Sequence, residues 1–239
     1  GKEAVFVEKK VEEMPVVFLM DRFGYCRTVD QSTYERNKEA ADSESRYVIS
    51  CKNTDRICIF TDSGKLHTAK VLDLPFGKFR DKAFPIDNYS NFDSGQEEML
   101  CLVSMEELLQ KKMLFVTKQG MGKIVCGQEY DVRTRTSMAT KLSEGDMVLL
   151  AQKIEEEESQ VVLWSESGYF LKCLTEEIPE KKKAAVGVRV MKLQTKEHIE
   201  GACLFAKGEK GSICYKEKNV ELQRLRLTGR DQKGTKLRV

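Results

Sequence analysis

The chain has 239 residues, 41% of them hydrophobic and 33% charged, with a formal net charge of only +2. That length admits one large domain or two small ones with a real core, and no apolar run approaches the roughly 20 residues of a membrane span. A net charge so near zero does not by itself predict a nucleic-acid partner; the distribution of charge decides.

Taken in chain order, the N-terminal "GKEAVFVEKK" interrupts its apolar residues with charge and is no signal peptide. The lack of an initiator Met predicts a piece of a longer protein. Five segments then align without gaps: "VFLMDRFGYCRTVD" from Val17, "ICIFTDSGKLHTAK" from Ile57, "MLFVTKQGMGKIVC" from Met113, "VVLWSESGYFLKCL" from Val161 and "SICYKEKNVELQRL" from Ser212. Each opens on apolar residues, passes polar ones to a turn residue, and continues as a second alternating run. The turn residues are Gly24, Gly64, Gly120, Gly168 and, in the fifth copy, Asn219. Gly and Asn accept positive φ, so each copy reads as a β-hairpin. After the hairpins come further strand-like runs, "SRYVISCKN", "EEMLCLVSM", "DMVLLAQKI" and "IEGACLFAK". The spacing of the turns matches the roughly 40–50-residue period of a propeller blade, which takes about four strands.

The prediction is therefore an all-β, five-bladed, propeller-like disk of four-stranded blades filling residues 1–239. Its approximate blades are 16–55, 56–110, 111–158, 159–209 and 210–239, the last completed by an N-terminal strand over 3–9. Helix signals are few. "SMEELLQKKM" places Ser104 three residues before Glu107, a capping-box pattern. The acidic run Glu155 to Ser159 and "KGEKG" near Lys207 read as surface turns.

Eight cysteines include no C-x-x-C pair, and the two histidines, His67 and His198, lie far apart, so no zinc site is predicted. Most cysteines sit in strand-like runs such as "RICIF" and "SICYK" and are expected to be reduced, buried small hydrophobes, which predicts a cytoplasmic protein. No cofactor is expected. No paired carboxylates, Ser/His pairing or metal-ligand cluster recur, which weakens any enzyme reading. "KQGMGKIVCG" lacks the phosphate-loop pattern and sits on a hairpin.

Between each hairpin and its next strand lies a longer connection. The first, "STYERNKEAADSESR", is mixed in charge. The other four are basic: "PFGKFRDKAFPIDN", "DVRTRTSMATKLSEGD", "IPEKKKAAVGVRVMKL" and "LQRLRLTGRDQKGTKLRV". Their candidate phosphate contacts are Lys78, Arg80 and Lys82; Arg133, Arg135 and Lys141; Lys181, Lys182, Lys183 and Arg189; and Arg224, Arg226, Arg230, Lys233 and Lys236. In "LQRLRL" strand alternation points Arg224 and Arg226 to one face. Equivalent connections in a ring share a rim, so the basic residues would form one band, with acidic segments elsewhere. Such a band suits duplex DNA, held through its phosphates without sequence reading and bent against many spread contacts. A propeller used as a protein-interaction module is the alternative.

The hairpin-plus-basic-loop repeat resembles the C-terminal β-pinwheel domain of bacterial type IIA topoisomerase A subunits. "GKFRDKAFPIDN" is similar to a phrase of the topoisomerase IV branch; "GRDQKGTKLRV" and "KAAVGVRVMKL" resemble phrases of both branches. The resemblance implies a DNA-wrapping domain that presents DNA to an upstream cleavage core of the same chain, in an enzyme completed by an ATPase B subunit. It implies no catalytic group here, the nucleophilic tyrosine belonging upstream. No stretch matches the gyrase heptapeptide Q-R-R-G-G-K-G; "RDQKGTK" lacks its paired arginines and glycines. Topoisomerase IV is thus the nearer branch and gyrase the second. If residues 3–9 close the last blade, deleting residues 1–8 lowers the melting temperature; an unchanged melting curve contradicts the closure.

Overall fold

Four sheets share one plan: a hairpin lies in the middle, a strand from later in the chain flanks its first arm, and a short strand from the next repeat's connection flanks its second. The computed structural model describes residues 10–155 and 159–238. The first sheet runs in the order Tyr47–Lys52, Pro15–Met20, Tyr25–Asp30, Phe84–Pro85. The second runs Met99–Ser104, Arg56–Thr61, Lys65–Lys70, Thr136–Met138. The third runs Val148–Lys153, Lys112–Thr117, Met121–Cys126, Val188–Arg189. The fourth runs Ile199–Ala206, Ser159–Ser165, Tyr169–Leu174, Thr235–Lys236. A fifth sheet has two strands among the described residues, Ser212–Tyr215 and Lys218–Glu221. The strand expected over 3–9, and part of the acidic run from Glu155, lie outside the described residues.

Among the described residues two compact units emerge, one of residues 10–57 with 69–90, the other of residues 58–68 with 91–155 and 159–238. In the first, Val17, Leu19 and Val29 pack with Ala41 and Phe79. In the second, one cluster gathers Phe60, Phe115 and Tyr130 and another Leu163, Leu171 and Val190. Central strands such as Pro15–Met20 are buried on both faces after their first residue, which is why they read as continuous apolar runs rather than alternating ones. Seven of the eight cysteines are buried or half-buried and none is disulfide-bonded, whereas Cys214 is exposed, because the fifth sheet leaves one face of its first strand open.

The first four turn glycines take positive φ. At Gly64 the requirement is doubled, since φ is +77° and an added Cβ would lie 2.8 Å from the Thr140 carbonyl oxygen. The fifth hairpin departs from expectation. Asn219 does not turn; it pairs with Cys214 inside the strand. The chain reverses two residues earlier, at Lys216 and Glu217, with φ of 46° and 66°. Two successive positive φ values make a two-residue turn of the kind that fits strand twist, so this copy needs a shorter loop than the gapless alignment allowed. Half of the capping box forms: the Glu107 N–H donates to the Ser104 hydroxyl, 3.3 Å, at the head of Met105–Leu108, while the Glu107 carboxylate pairs with Lys153 at 2.7 Å. The first connection is not an open loop but two short helices, Gln31–Arg36 and Lys38–Glu44. Asp30 starts the first, accepting from the Thr33 N–H at 2.7 Å.

Left-handed backbone costs an L-residue about 1–2 kcal/mol, and least for Gly and Asn. Replacing Lys216 and Glu217 by Asn and Gly is expected to stabilise the chain by about 1 kcal/mol in denaturant unfolding; no gain would show that the turn is not strained.

Candidate nucleic-acid interface

Each basic connection is fastened at both ends to the hairpin of the preceding repeat. A single 3-10 turn follows the hairpin: Val71–Asp73, Gly127–Tyr130, Thr175–Glu177 or Leu222–Arg224. The chain next meets the preceding hairpin's second strand. The Thr28 N–H donates to the Pro75 carbonyl (2.8 Å), Thr68 to Arg135 (2.9 Å) and Ile124 to Pro179 (3.0 Å), while Thr228 donates to Lys172 (3.0 Å). At the far end the residue after the short strand donates its N–H to the carbonyl of the turn glycine. These bonds are Ile86 to Gly24 (2.9 Å) and Ala139 to Gly64, Val190 to Gly120 and Leu237 to Gly168 (2.8 Å each). The basic side chains project from the span between the two fastenings or from its borders.

In the first unit Lys78, Arg80 and Lys82 share one such connection and are all exposed. The loop is closed on itself by Asp81, which accepts from the Lys78 N–H at 2.8 Å. Arg80 lies over the Phe79 ring and Lys82 over Phe84, at 4.7 and 5.3 Å. Arg80 also forms an ion pair with Glu44 of the second helix, 3.0 Å.

In the second unit three connections are joined in series. The Lys141 N–H donates to the Lys183 carbonyl, 3.0 Å, linking the connection after the third hairpin to that after the fourth. Arg230 donates to the Arg189 carbonyl, 2.9 Å, linking the fourth to the fifth. The Asp231 N–H adds a bond to the Val190 carbonyl, 2.7 Å. Arg133, Arg135, Lys141, Lys182 and Arg189 are exposed; Lys181, Lys183 and Arg230 are half-buried. Lys233 and Lys236 are exposed and lie over the Tyr169 ring at 4.7 and 6.0 Å.

Two expectations fail. Arg224 and Arg226 do not share a strand face, because Arg224 ends a 3-10 turn and pairs with Glu221 at 2.7 Å. Lys172 bends the chain there by donating to the carbonyls of Leu222 and Leu225 at 3.0 and 3.1 Å. Arg226 itself is exposed. Nor do the acids stand apart from the bases. Besides Glu44 and Glu221, Glu129 lies 3.9 Å from Lys182, and Asp231 pairs with Arg189 at 2.5 Å, each side chain supplied by an element bordering the basic one. That pairing raises the Arg189 pKa and lowers that of Asp231.

The sequence reading missed a set of interior polar residues. Arg27, His67 and Lys123 each stand three residues after a turn glycine. Arg27 donates to the Phe79 carbonyl. His67 bonds Thr136 Oγ1 (2.8 Å) and Glu97 Oε2 (2.7 Å). Lys123 donates to the carbonyls of Lys182 (2.8 Å), Lys183 (3.0 Å) and Ala185. The signal was one basic or imidazole residue at a fixed place in alternating strands, "YCRTVD", "KLHTAK" and "MGKIVC".

Residues 111–154 and 159–202 match the family described as DNA gyrase C-terminal domain, beta-propeller. The gyrase A protein of Chlamydia muridarum is 27% identical over 158 residues, 65% of this chain. The two stretches that match the family make up little more than a third of the chain. The chain spans only 19% of that relative's length, and the family description names a C-terminal domain. A crystal structure of the C-terminal domain of DNA topoisomerase IV superposes with a TM-score of 0.82 at 20% identity, covering 95% of this chain and 73% of that one. The E. coli ParC C-terminal domain gives 0.73 at 15% identity, covering 94% of each. These two likenesses establish the fold. No helix is long and apolar enough to cross a membrane among the described residues.

Burial pushes the Lys123 ammonium from its ordinary 10.5 down to about 8, with Glu129 opposing the shift and Lys181 adding to it. Between those values the folded chain binds fewer protons than the unfolded one, so stability rises as pH rises from 8 to 10.5. The expected gain is up to about 3 kcal/mol at 1.36 kcal/mol per unit. Denaturant unfolding across this window should show it in the native chain, and Lys123→Met should remove it.

Proposed function

We propose that this chain binds duplex DNA without sequence preference and bends it along its basic connections. The observation that carries the reading is the joining of three basic connections in the second unit, through Lys141–Lys183 and Arg189–Arg230. Lysine and arginine side chains held on fastened loops suit phosphate oxygens, which give affinity and register but no sequence information. Bending costs energy that many spread contacts offset. Within the whole enzyme the domain would present DNA to the cleavage core of its own chain. Its partner there would be an ATPase B subunit, in the cytoplasm, and the domain would carry no cofactor of its own. The reaction served would be the relaxation and decatenation of a topoisomerase IV. The fit to the topoisomerase IV domain supports that branch; the gyrase A name of the sequence relative supports a diverged gyrase as the second reading.

A gel shift on random-sequence duplex at two salt concentrations tests the proposal. Affinity is expected to fall steeply with salt, by about 0.9 log units per tenfold salt for each phosphate contact. No binding at low salt would overturn it in favour of a protein-interaction module. Changing Lys78, Arg80 and Lys82 together to Ala should weaken binding equally on all sequences. Asp231→Asn, which removes the partner of Arg189, should tighten binding and steepen the salt slope by up to about 0.9. Unchanged affinity and slope together would exclude Arg189 from phosphate contact.

A further inference from the structure

We propose that Arg27, His67 and Lys123 are positioning residues, one per hairpin, that fix the basic connections for DNA without touching it. The inference rests on the DNA-binding reading above.

The three hold one place in the repeat, the third residue after the turn glycine. Successive strand residues point to opposite faces, so a fixed place means a fixed direction. Each side chain reaches the connection that arrives from the following repeat. His67 and Lys123 are buried, and the Arg27 guanidinium carbon lies 5.3 Å from the centre of the Phe79 ring.

Lys123 makes the case most sharply. Its ammonium has three donors, and three carbonyls receive them, from Lys182, Lys183 and Ala185. Converging carbonyls force the backbone of 182–185 into a tight curl around the nitrogen. The side chains of Lys182 and Lys183 belong to that curl, and the same Lys183 carbonyl receives the Lys141 N–H. One buried cation therefore sets the connection after the fourth hairpin and its joint to the one before. A buried charge is costly even when satisfied, and an apolar residue of similar size is often neutral or stabilising in its place. Stability alone does not account for a lysine here; the loop geometry it imposes does.

The fourth hairpin varies the device. Its third position is the buried Leu171, and the adjacent Lys172, on the opposite face, grips the carbonyls of Leu222 and Leu225 instead. That bond fixes the start of the last connection, whose later part is held by Arg230 on the Arg189 carbonyl.

The test compares the native chain with Lys123→Met and Lys123→Arg on random duplex DNA, reading affinity and its salt slope. Lys123→Met should bind roughly tenfold more weakly, with a slope smaller by about 0.9–1.8, as for one or two lost phosphate contacts. Lys123→Arg, which keeps a buried donor, should recover part of the loss. Amide exchange over 181–187 should speed up in Lys123→Met while the strands Lys112–Thr117 and Met121–Cys126 stay protected. An unchanged slope in a folded Lys123→Met overturns the inference, as does an unchanged exchange rate in the loop. If the native chain itself fails to bind, the DNA-binding reading fails instead. Should Lys123→Met not fold, Arg27→Met tests the same position on the connection carrying Lys78, Arg80 and Lys82. An unchanged slope or an unchanged exchange rate over that connection would overturn the inference in the same way.

Discussion

The carbonyl of a turn glycine is the point on which the repeats depend. Gly24, Gly64, Gly120 and Gly168 reverse their hairpins with positive φ, and each then accepts an N–H from the connection of the next repeat. The same residue thus ends one strand pair and anchors the loop that closes the sheet from its other side. Each of the four four-stranded sheets borrows its fourth strand from the next repeat's connection, so every basic connection is tied down twice. Loops ordinarily carry function on a scaffold that positions them; here the loop is part of the scaffold's own hydrogen bonding.

That arrangement explains how a chain of net charge +2 can offer a basic surface. The cations stand on spans whose backbone is already satisfied, and the apolar faces of Phe79, Phe84 and Tyr169 lie beneath several of them. The bordering acids Glu44, Glu129 and Asp231 moderate the charge. Exposed ion pairs contribute little to stability, so on the proposed reading their consequence would be for ligand affinity: a phosphate would have to displace a carboxylate at Arg80, Lys182 and Arg189.

Much of this was legible in the sequence. The hairpins and the strands after them follow from apolar runs and turn glycines, and the Ser104 cap from its spacing to Glu107. The basic connections were legible as a recurring set because they return at the same place in each repeat. Four things were hidden. The Lys216–Glu217 turn was masked because the gapless alignment put Asn219, a good turn residue, at the glycine position. The helices after Asp30 were masked because segments so short and of mixed charge carry too little periodicity. Arg27, His67 and Lys123 looked like ordinary polar positions of alternating strands, and only the arrival of the next repeat's connection, with carbonyls for Arg27 and Lys123 and the Thr136 hydroxyl for His67, gives them partners. Which repeat lends its strand to which sheet is a matter of long-range pairing that local pattern does not encode.

The most direct test is amide exchange on the native chain with and without random-sequence duplex DNA, at low and high salt. The account expects new protection over 131–141, 181–189 and 226–236, the same on any sequence and lost at high salt. Protection that spares those connections and falls instead on the hairpin tips at 21–23, 62–63 and 166–167 would contradict it.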